Sequence, residues 1–299
     1  MTEQTLPGSE QALPGDNGPA LQVDPLVGAL GAEVRGIDLK QDISGAPFRA
    51  LNRVLLDHGV IFLPDQHLTP QQHVAFARAF GELFIHPYLK GVPEAPELVP
   101  VVKEADETVN FGGEWHSDFT YLDCPPKVSV LAARELPPPP ADGSRQGGDT
   151  LFVNMTLAYD RLSPGMKRLL EGLRAVHSSV SATYATAVAA NSVSQGKAVQ
   201  AEQVLHPVVR THPETGRRAL FVNPAFTRGL EDMSREESDA ILGHLYRHAC
   251  QPEFAARYRW RQGAVGIWDN RCTMHFPLND YQGQRREMHR ATVQGDRPF

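Results

Sequence analysis

Phe111-Gly112-Gly113-Glu114-Trp115-His116-Ser117-Asp118-Phe119-Thr120 is the stretch on which the reading of this chain turns. It sets an imidazole and a carboxylate at alternate positions of a segment that reads as extended. Successive strand side chains point to opposite faces, so His116 and Asp118 would point the same way and grip one small cation. Alone the pair says little: with 12 histidines in the chain, about one His-x-Asp is expected by chance. A second stretch supplies what the first lacks. Trp268-Asp269-Asn270-Arg271-Cys272-Thr273-Met274-His275 closes a strand-like apolar run, with Arg286 and Arg290 following it. Two histidines and one carboxylate form the facial set that holds non-haem Fe(II) and leaves positions open for other ligands. A closed structural zinc site wants a fourth ligand, usually a cysteine, and the three cysteines here are scattered.

Composition narrows the class. With 299 residues, 41% hydrophobic and 21% charged, the chain can bury a sizeable core in one large domain. Its 29 basic residues against 35 acidic give a net charge of −6 without any Lys/Arg run, which disfavours nucleic-acid and anionic-membrane partners. Cys124, Cys250 and Cys272 are odd in number and far apart, against a disulfide framework and for a reducing compartment. Residues 1–25 lack the basic and apolar regions of a signal peptide, and no apolar run approaches the ~20 residues of a membrane span. A soluble cytoplasmic protein is expected.

Along the chain, residues 1–22 read as a disordered tail rich in Pro and Gly, and 23–299 as a single domain. Short strands are expected from Val23 to Leu39, then a helix around Pro47–Asp57 and a buried strand at Val60-Ile61-Phe62-Leu63. Thr69-Pro70-Gln71-Gln72 has the cap, N1 proline and N3 glutamine of a helix start, and that helix should run to Phe80. Val128 to Leu136 reads as a strand, interrupted by the four-proline excursion 137–146. Ser163-Pro164 opens a helix through Leu173, and residues 179–203, small, polar and aperiodic, read as a disordered insertion or a lid loop. His206–Thr211 and Arg218–Asn223 form a hairpin about Pro213–Gly216. Ser234-Arg235-Glu236-Glu237 caps a helix striped by Ile241, Leu245 and Ala249, and strands follow at 258–260, 264–268 and 287–293. Many short strands without βαβ alternation favour a sandwich or barrel.

Several spaced blocks, in order, resemble the taurine dioxygenase branch of the Fe(II)/2-oxoglutarate-dependent dioxygenases, which also holds aryloxyalkanoate dioxygenases and alkylsulfatases. They are Gly31-Ala32-Glu33 with Gly36-Ile37-Asp38-Leu39, Trp115-His116-Ser117-Asp118, Gly147-Gly148-Asp149-Thr150-Leu151, His206 to Pro213, and Trp268 through His275 to Met288-His289-Arg290-Ala291-Thr292. The resemblance implies a mainly β fold with peripheral helices (α+β) and a double-stranded β-helix, or jelly-roll, core. It makes His116, Asp118 and His275 the iron ligands and assigns Thr150 and Arg286 to the distal carboxylate of 2-oxoglutarate. His86, Arg290, the backbone N–H of Phe119 and the wall residue Phe226 would face the substrate. The implied reaction uses Fe(II), 2-oxoglutarate and O2 to hydroxylate a small anionic organic substrate, releasing succinate and CO2, in a homo-oligomer (dimer or tetramer). Two departures bear on substrate: Gly112 stands where the taurine enzyme has an asparagine, and Leu89 where it has a tyrosine. The ammonium end of a taurine site is thus missing, which points to an alkyl or aryl sulfonate, a sulfate ester or an aryloxyalkanoate. The spacing of the two arginines fits their assignment to different ligands. If 286–290 is extended, Arg286 and Arg290 share a face about 13 Å apart, suited to two anions on two molecules. Competing readings are a metal-dependent hydrolase on the same His/Asp/His site and a non-enzymatic jelly roll that binds 2-oxoglutarate or another anion.

Overall fold

The computed structural model describes residues 20–139, 146–180, 182–190 and 193–299. The chain enters through strand β1 (Gln22–Pro25), β2 (Ala32–Arg35), helix α1 (Ala46–His58), β3 (Val60–Leu63) and α2 (Pro70–Arg78). It continues with β4 (Val99–Lys103), β5 (Val128–Glu135), β6 (Thr150–Asn154), α3 (Met155–Asp160), α4 (Pro164–Leu170) and β7 (Arg174–Ser178). Helix α5 (Ala182–Ala190), β8 (Gln203–Pro207), β9 (Val209–Thr211), β10 (Arg218–Leu220), β11 (Thr227–Leu230) and α6 (Arg235–Ala249) follow. The last strands are β12 (Ala255–Tyr258), β13 (Val265–Asp269), β14 (Thr273–Pro277) and β15 (Arg286–Val293).

These strands make a seven-stranded sheet in the order β1-β2-β3-β13-β5-β15-β4, a β12-β6-β14 sheet, a β11-β7-β8 sheet and the β9-β10 hairpin. The reason the central strands read as unbroken apolar runs is that both their faces are covered. Val60 and Phe62 of β3 face inward with Leu131 and Ala133 of β5, Trp268 and Met288, against Phe152 and Tyr258 of the smaller sheet. Phe62 stacks on Tyr258 with ring centroids 3.5 Å apart. The alternate residues Ile61, Leu63, Val130, Ala132, Ala291 and Val293 face outward against α1 and α2 through Leu51, Leu55, Val74 and Ala77. The two packed faces with their antiparallel strands form the jelly-roll core, and the site lies between them.

Local signals were met where expected. Thr69 and Ser234 both close capping boxes, with Gln72 and Glu237. Gly59 at φ 71 ends α1 and turns the chain directly into β3. Other expectations need correction. The stretch 179–203 is no simple loop: its alanine-rich run forms α5, whose Tyr184 and Val188, one turn apart, are buried. Alanine is the strongest helix former, but it gives no apolar contrast from which a period can be read. The first strand of the expected hairpin is split at Pro207-Val208, so that β8 pairs with β7 while only β9 pairs with β10. The strand expected at 258–260 lies at 255–258, α4 ends at Leu170, and in α6 the buried position is Leu242 with Ile241 half-exposed. The tail expected over 1–22 lies outside the described residues as far as residue 19, and Gln22 already belongs to β1. Residues 140–145 of the proline excursion also lie outside them. No helix among the described residues is long and apolar enough to cross a membrane.

At the end of β13 the buried Asp269 carboxylate accepts Arg271 Nε at 2.8 Å and Nη2 at 2.6 Å, and His212 Nε2 lies 3.0 Å away. Burial alone would raise this carboxyl; Arg271 and His212 outweigh it and hold it well below its ordinary value. A carboxyl depressed in the folded state stabilises above its unfolded pKa and loses that contribution as pH falls. Asp269→Asn is expected to cost about 3 kcal/mol in urea unfolding at neutral pH, because it leaves Arg271 without its buried counter-charge. The variant should also show a smaller loss of stability below about pH 4 than the parent chain.

Candidate active site

The sequence suggests an extended His116-Ser117-Asp118; the structure gives a single antiparallel bridge instead. His116 N–H donates to the His275 carbonyl at 3.1 Å and His275 N–H to the His116 carbonyl at 2.8 Å, after which the chain turns away at Phe119 with φ 48. This one reciprocal pair sets the two imidazoles side by side, ring centroids 4.1 Å apart. With Asp118 they form a buried group whose three ligand atoms lie within 4.8 Å of one another, close enough to share one ion. His116 Nδ1 lies 2.7 Å from the Glu114 carbonyl, which fixes the proton there and leaves Nε2 as the free lone pair, 3.9 Å from Asp118 Oδ1. His275 is flanked by Trp268 and by Phe152.

Asp118 is held from every side. Its Oδ2 accepts Ser129 Oγ at 2.6 Å, its Oδ1 accepts Arg290 Nη1 at 2.9 Å, and its backbone N–H donates to Asn270 Oδ1 at 3.2 Å. Asn270 in turn donates to Ser129 Oγ and accepts from Trp268 Nε1, each at 3.0 Å. Burial would raise the Asp118 carboxyl, but Arg290, His275 and His116 prevail and hold it at about 2. Burial lowers both histidines, so all three groups are in the deprotonated form that a metal requires. Ser129 and Asn270 were not recognisable as parts of the site from sequence; Asn270 was visible only as part of a landmark motif.

Thr150 and Arg286 meet at the other end of one cavity, which also takes in His116, His275 and Arg290. Trp260 Nε1 donates to Thr150 Oγ1 at 2.9 Å, so the hydroxyl proton is free to donate onward. Arg286 is buried, and its Nε and Nη2 have no hydrogen-bond partner among the described residues. Gly148 explains the Gly-Gly-Asp-Thr block: it adopts φ +84, and a Cβ there would sit 3.1 Å from Arg286 Cδ and Nε. Lys103 and Tyr281 line the same end, and sequence reasoning missed both.

His86, Phe119 and Phe226 are brought to the opposite side of Arg290, packed around the site rather than lining that cavity. Phe119 and Phe226 share an apolar cluster with Tyr121 and Tyr184 of α5. The Phe119 ring lies 5.2 Å from the Arg290 guanidinium and 5.3 Å from the His86 ring, and Phe226 lies 6.4 Å from His116. His86 Nδ1 accepts the backbone N–H groups of Tyr88 at 3.1 Å and Leu89 at 3.0 Å, so the ring proton is on Nε2. Burial, with Arg290 nearby, pushes this imidazole down to about 3. Its Nε2 and the Nε and Nη2 of Arg290 are buried without partners among the described residues, a set of donors suited to an anion.

A second group, His212, Asp269 and Cys272, is also close enough to share an ion. Arg271 and His212 already occupy the Asp269 carboxylate, so this group forms a buried ion-pair network.

A family model described as "Taurine catabolism dioxygenase TauD, TfdA family" matches residues 22–292. An alpha-ketoglutarate-dependent sulfate ester dioxygenase of Pseudomonas putida is 33% identical over 287 residues, covering 93% of this chain and 91% of that protein. An alpha-ketoglutarate-dependent 2,4-dichlorophenoxyacetate dioxygenase of Cupriavidus pinatubonensis is 33% identical over 289 residues, covering 91% of this chain and 97% of its own. Among solved structures, a taurine dioxygenase from Burkholderia xenovorans superposes with a TM-score of 0.79 at 34% identity, over 94% of this chain and 91% of that one. AAD-2, solved with Mn(II) and N-oxalylglycine, gives 0.75 at 28% identity over 93% and 99%.

Gly112 lies against the site at φ +80, and a Cβ there would come within 2.9 Å of His116 Cε1 and 3.3 Å of Nε2. Gly112→Ala is therefore expected to displace the His116 ring and to weaken Mn(II) binding, followed by electron paramagnetic resonance, at least about tenfold. The melting temperature should fall by a few degrees as well, because alanine is strained at this positive φ. Unchanged Mn(II) affinity would show that the ring has room to yield.

Proposed function

The chain belongs to the taurine catabolism dioxygenase TauD/TfdA family, and on that premise we propose that this Fe(II)- and 2-oxoglutarate-dependent dioxygenase hydroxylates a small organic anion more apolar than taurine. The observation that carries the reading is the pair of buried guanidinium edges, on Arg286 and Arg290, that lack partners among the described residues at two ends of one site. Buried cations without anions are costly, so each edge calls for a ligand.

The residues fit a metal, a co-substrate and an anionic substrate. His116, Asp118 and His275 supply the two-nitrogen, one-oxygen donor set of a non-haem iron site. Arg286 and Thr150 offer a fork and a hydroxyl to the distal carboxylate of 2-oxoglutarate. Arg290, with His86 Nε2, offers donors to the anionic group of the substrate, and Phe119 and Phe226 wall it with apolar surface. When bound, Fe(II) with 2-oxoglutarate and O2 supplies the oxidising power, yielding succinate, CO2 and a hydroxylated substrate carbon.

The chain's own work is positional. Arg290 is pinned to Asp118 through Nη1, so the substrate anion is held at a fixed offset from the metal group, which directs one carbon to the reactive position. The aromatic cluster around Phe119, Tyr121, Tyr184 and Phe226 keeps bulk water from that side. Gly112 and Leu89 carry no polar group there, which favours sulfate esters, alkyl or aryl sulfonates and aryloxyalkanoates over taurine. Hydroxylation at a carbon bearing sulfur or oxygen gives a product that collapses with loss of sulfite, sulfate or an alcohol. A hydrolase on the same three ligands would leave both guanidinium edges without a role. Analogy with the family and the three free cysteines support a homo-oligomer working in a reducing, cytoplasmic compartment.

The test is succinate release from 2-oxoglutarate by anaerobically reconstituted Fe(II) protein after admission of air, across taurine, longer alkyl sulfonates, sulfate esters and aryloxyalkanoates. One apolar anion class should stimulate release well above taurine. Arg286→Ala should raise the KM for 2-oxoglutarate by about 10- to 100-fold with a smaller effect on the substrate, and Arg290→Ala the reverse. Equal damage to both ligands from either substitution would end the division of roles, and taurine as the preferred substrate would end the substrate assignment.

A further inference from the structure

Lys103 closes β4, and its Cα partner across the β4–β15 ladder is Arg286. Residues directly opposite on antiparallel strands have neighbouring side chains, and like charges so placed repel. Here both are buried, Lys103 at 2% and Arg286 at 5% exposure, and both line the one cavity. Lys103 Nζ has no hydrogen-bond partner among the described residues and lies 4.6 Å from the centroid of the Tyr281 ring. The cavity's described lining holds no Asp or Glu side chain. The nearby carboxylates of Asp149 and Asp280 are instead engaged outside it, by Arg257 Nε at 2.5 Å and by the Gly148 N–H at 2.7 Å. Arg286 is also hydrogen-bonded to the Tyr281 side chain and attracted by Asp149 and Asp280. No carboxylate enters the cavity's described lining, however, and two buried cations facing that space favour an anion between them.

From this juxtaposition we infer that Lys103 is a binding residue for the distal carboxylate of 2-oxoglutarate, acting beside Arg286 and Thr150; the inference rests on the 2-oxoglutarate reading of this cavity. The donors and acceptors balance. A carboxylate offers about four lone-pair sites. Arg286 has two free N–H edges, the Thr150 hydroxyl adds a third donor, and the Lys103 ammonium supplies the fourth. Position on the strand decides which anion it serves. Lys103 is opposite Arg286, whereas Arg290 is opposite Val99, at the other end of β4. Lys103 therefore acts on the co-substrate and not on the substrate. The consequence is selectivity: the chain should require a 2-oxo acid with a second carboxylate more strictly than Arg286 and Thr150 alone would impose.

The experiment is calorimetric binding to Mn(II)-loaded full-length protein without O2, with 2-oxoglutarate and with 2-oxopentanoate, which has the same carbon chain but no distal carboxylate. The parent protein should prefer 2-oxoglutarate. Lys103→Met should lose about 10- to 100-fold in 2-oxoglutarate affinity and leave 2-oxopentanoate affinity unchanged, while Lys103→Arg, the variant with the smallest demand on folding, should retain most of the preference. Lys103→Met with undiminished 2-oxoglutarate affinity, or with equal loss for both ligands, overturns the proposal and makes Lys103 a packing residue on Tyr281. Should Lys103→Met not fold, Lys103→Gln at a melting temperature near the parent's carries the same two expectations. A parent protein that does not distinguish the two acids overturns the 2-oxoglutarate reading itself, an outcome separate from any effect of the variants.

Discussion

The His116–His275 backbone pair is the constraint on which the site depends. Neither segment is held there by a long ladder: His116 has only this bridge, and His275 lies mid-strand in β14, where Phe152 is its partner on the other side. Two hydrogen bonds thus tie a loop segment to the edge of the smaller sheet and put both imidazoles on one face. The third ligand group is fixed differently. Asp118 is drawn against the larger sheet by Ser129 of β5, Arg290 of β15 and Asn270, so the metal group spans the two layers of the jelly roll. Its geometry inherits the spacing of the sheets, which is set by Phe62, Phe152, Tyr258 and Trp268 packed between them.

Charge explains why the cavity is unfinished as a protein core. Arg290 spends one nitrogen on Asp118 and keeps two, Arg286 keeps two, and Lys103 keeps all three of its donors. Elsewhere the chain neutralises its buried arginines internally: Arg271 takes Asp269 and Glu214, and Arg210 takes Asp296. The contrast within one molecule separates neutralised structural cations from the unpartnered ones to which we assign ligands. It also separates the two groups able to share an ion, because Asp269 is saturated while the lone pair of His116 Nε2 is not.

How much of this was legible in sequence depended on whether a residue's meaning is local. His116, Asp118 and His275 stood in short, recognisable blocks, and the capping boxes at Thr69 and Ser234 are written in four consecutive residues. The strand Val60–Leu63 was plain because both faces are buried and every position is apolar. Strands β7, β11 and β14 were missed because polar or functional residues such as His177, Arg228 and His275 break their alternation, and β4 because Pro100 interrupts its valines. Helix α5 hid behind alanine. Lys103 could not have been found at all: its significance comes from the β4–β15 register that sets it against Arg286, far along the chain.

The most direct measurement of the central claim is a crystal structure of the protein equilibrated without O2 with Fe(II) and 2-oxoglutarate, with anomalous differences recorded at the iron edge. The account predicts one strong peak bonded to His116, Asp118 and His275, with 2-oxoglutarate bound to it and its distal carboxylate at Arg286. A peak at His212, Asp269 and Cys272, a fourth protein ligand closing the coordination sphere, or 2-oxoglutarate directed to Arg290 would contradict it.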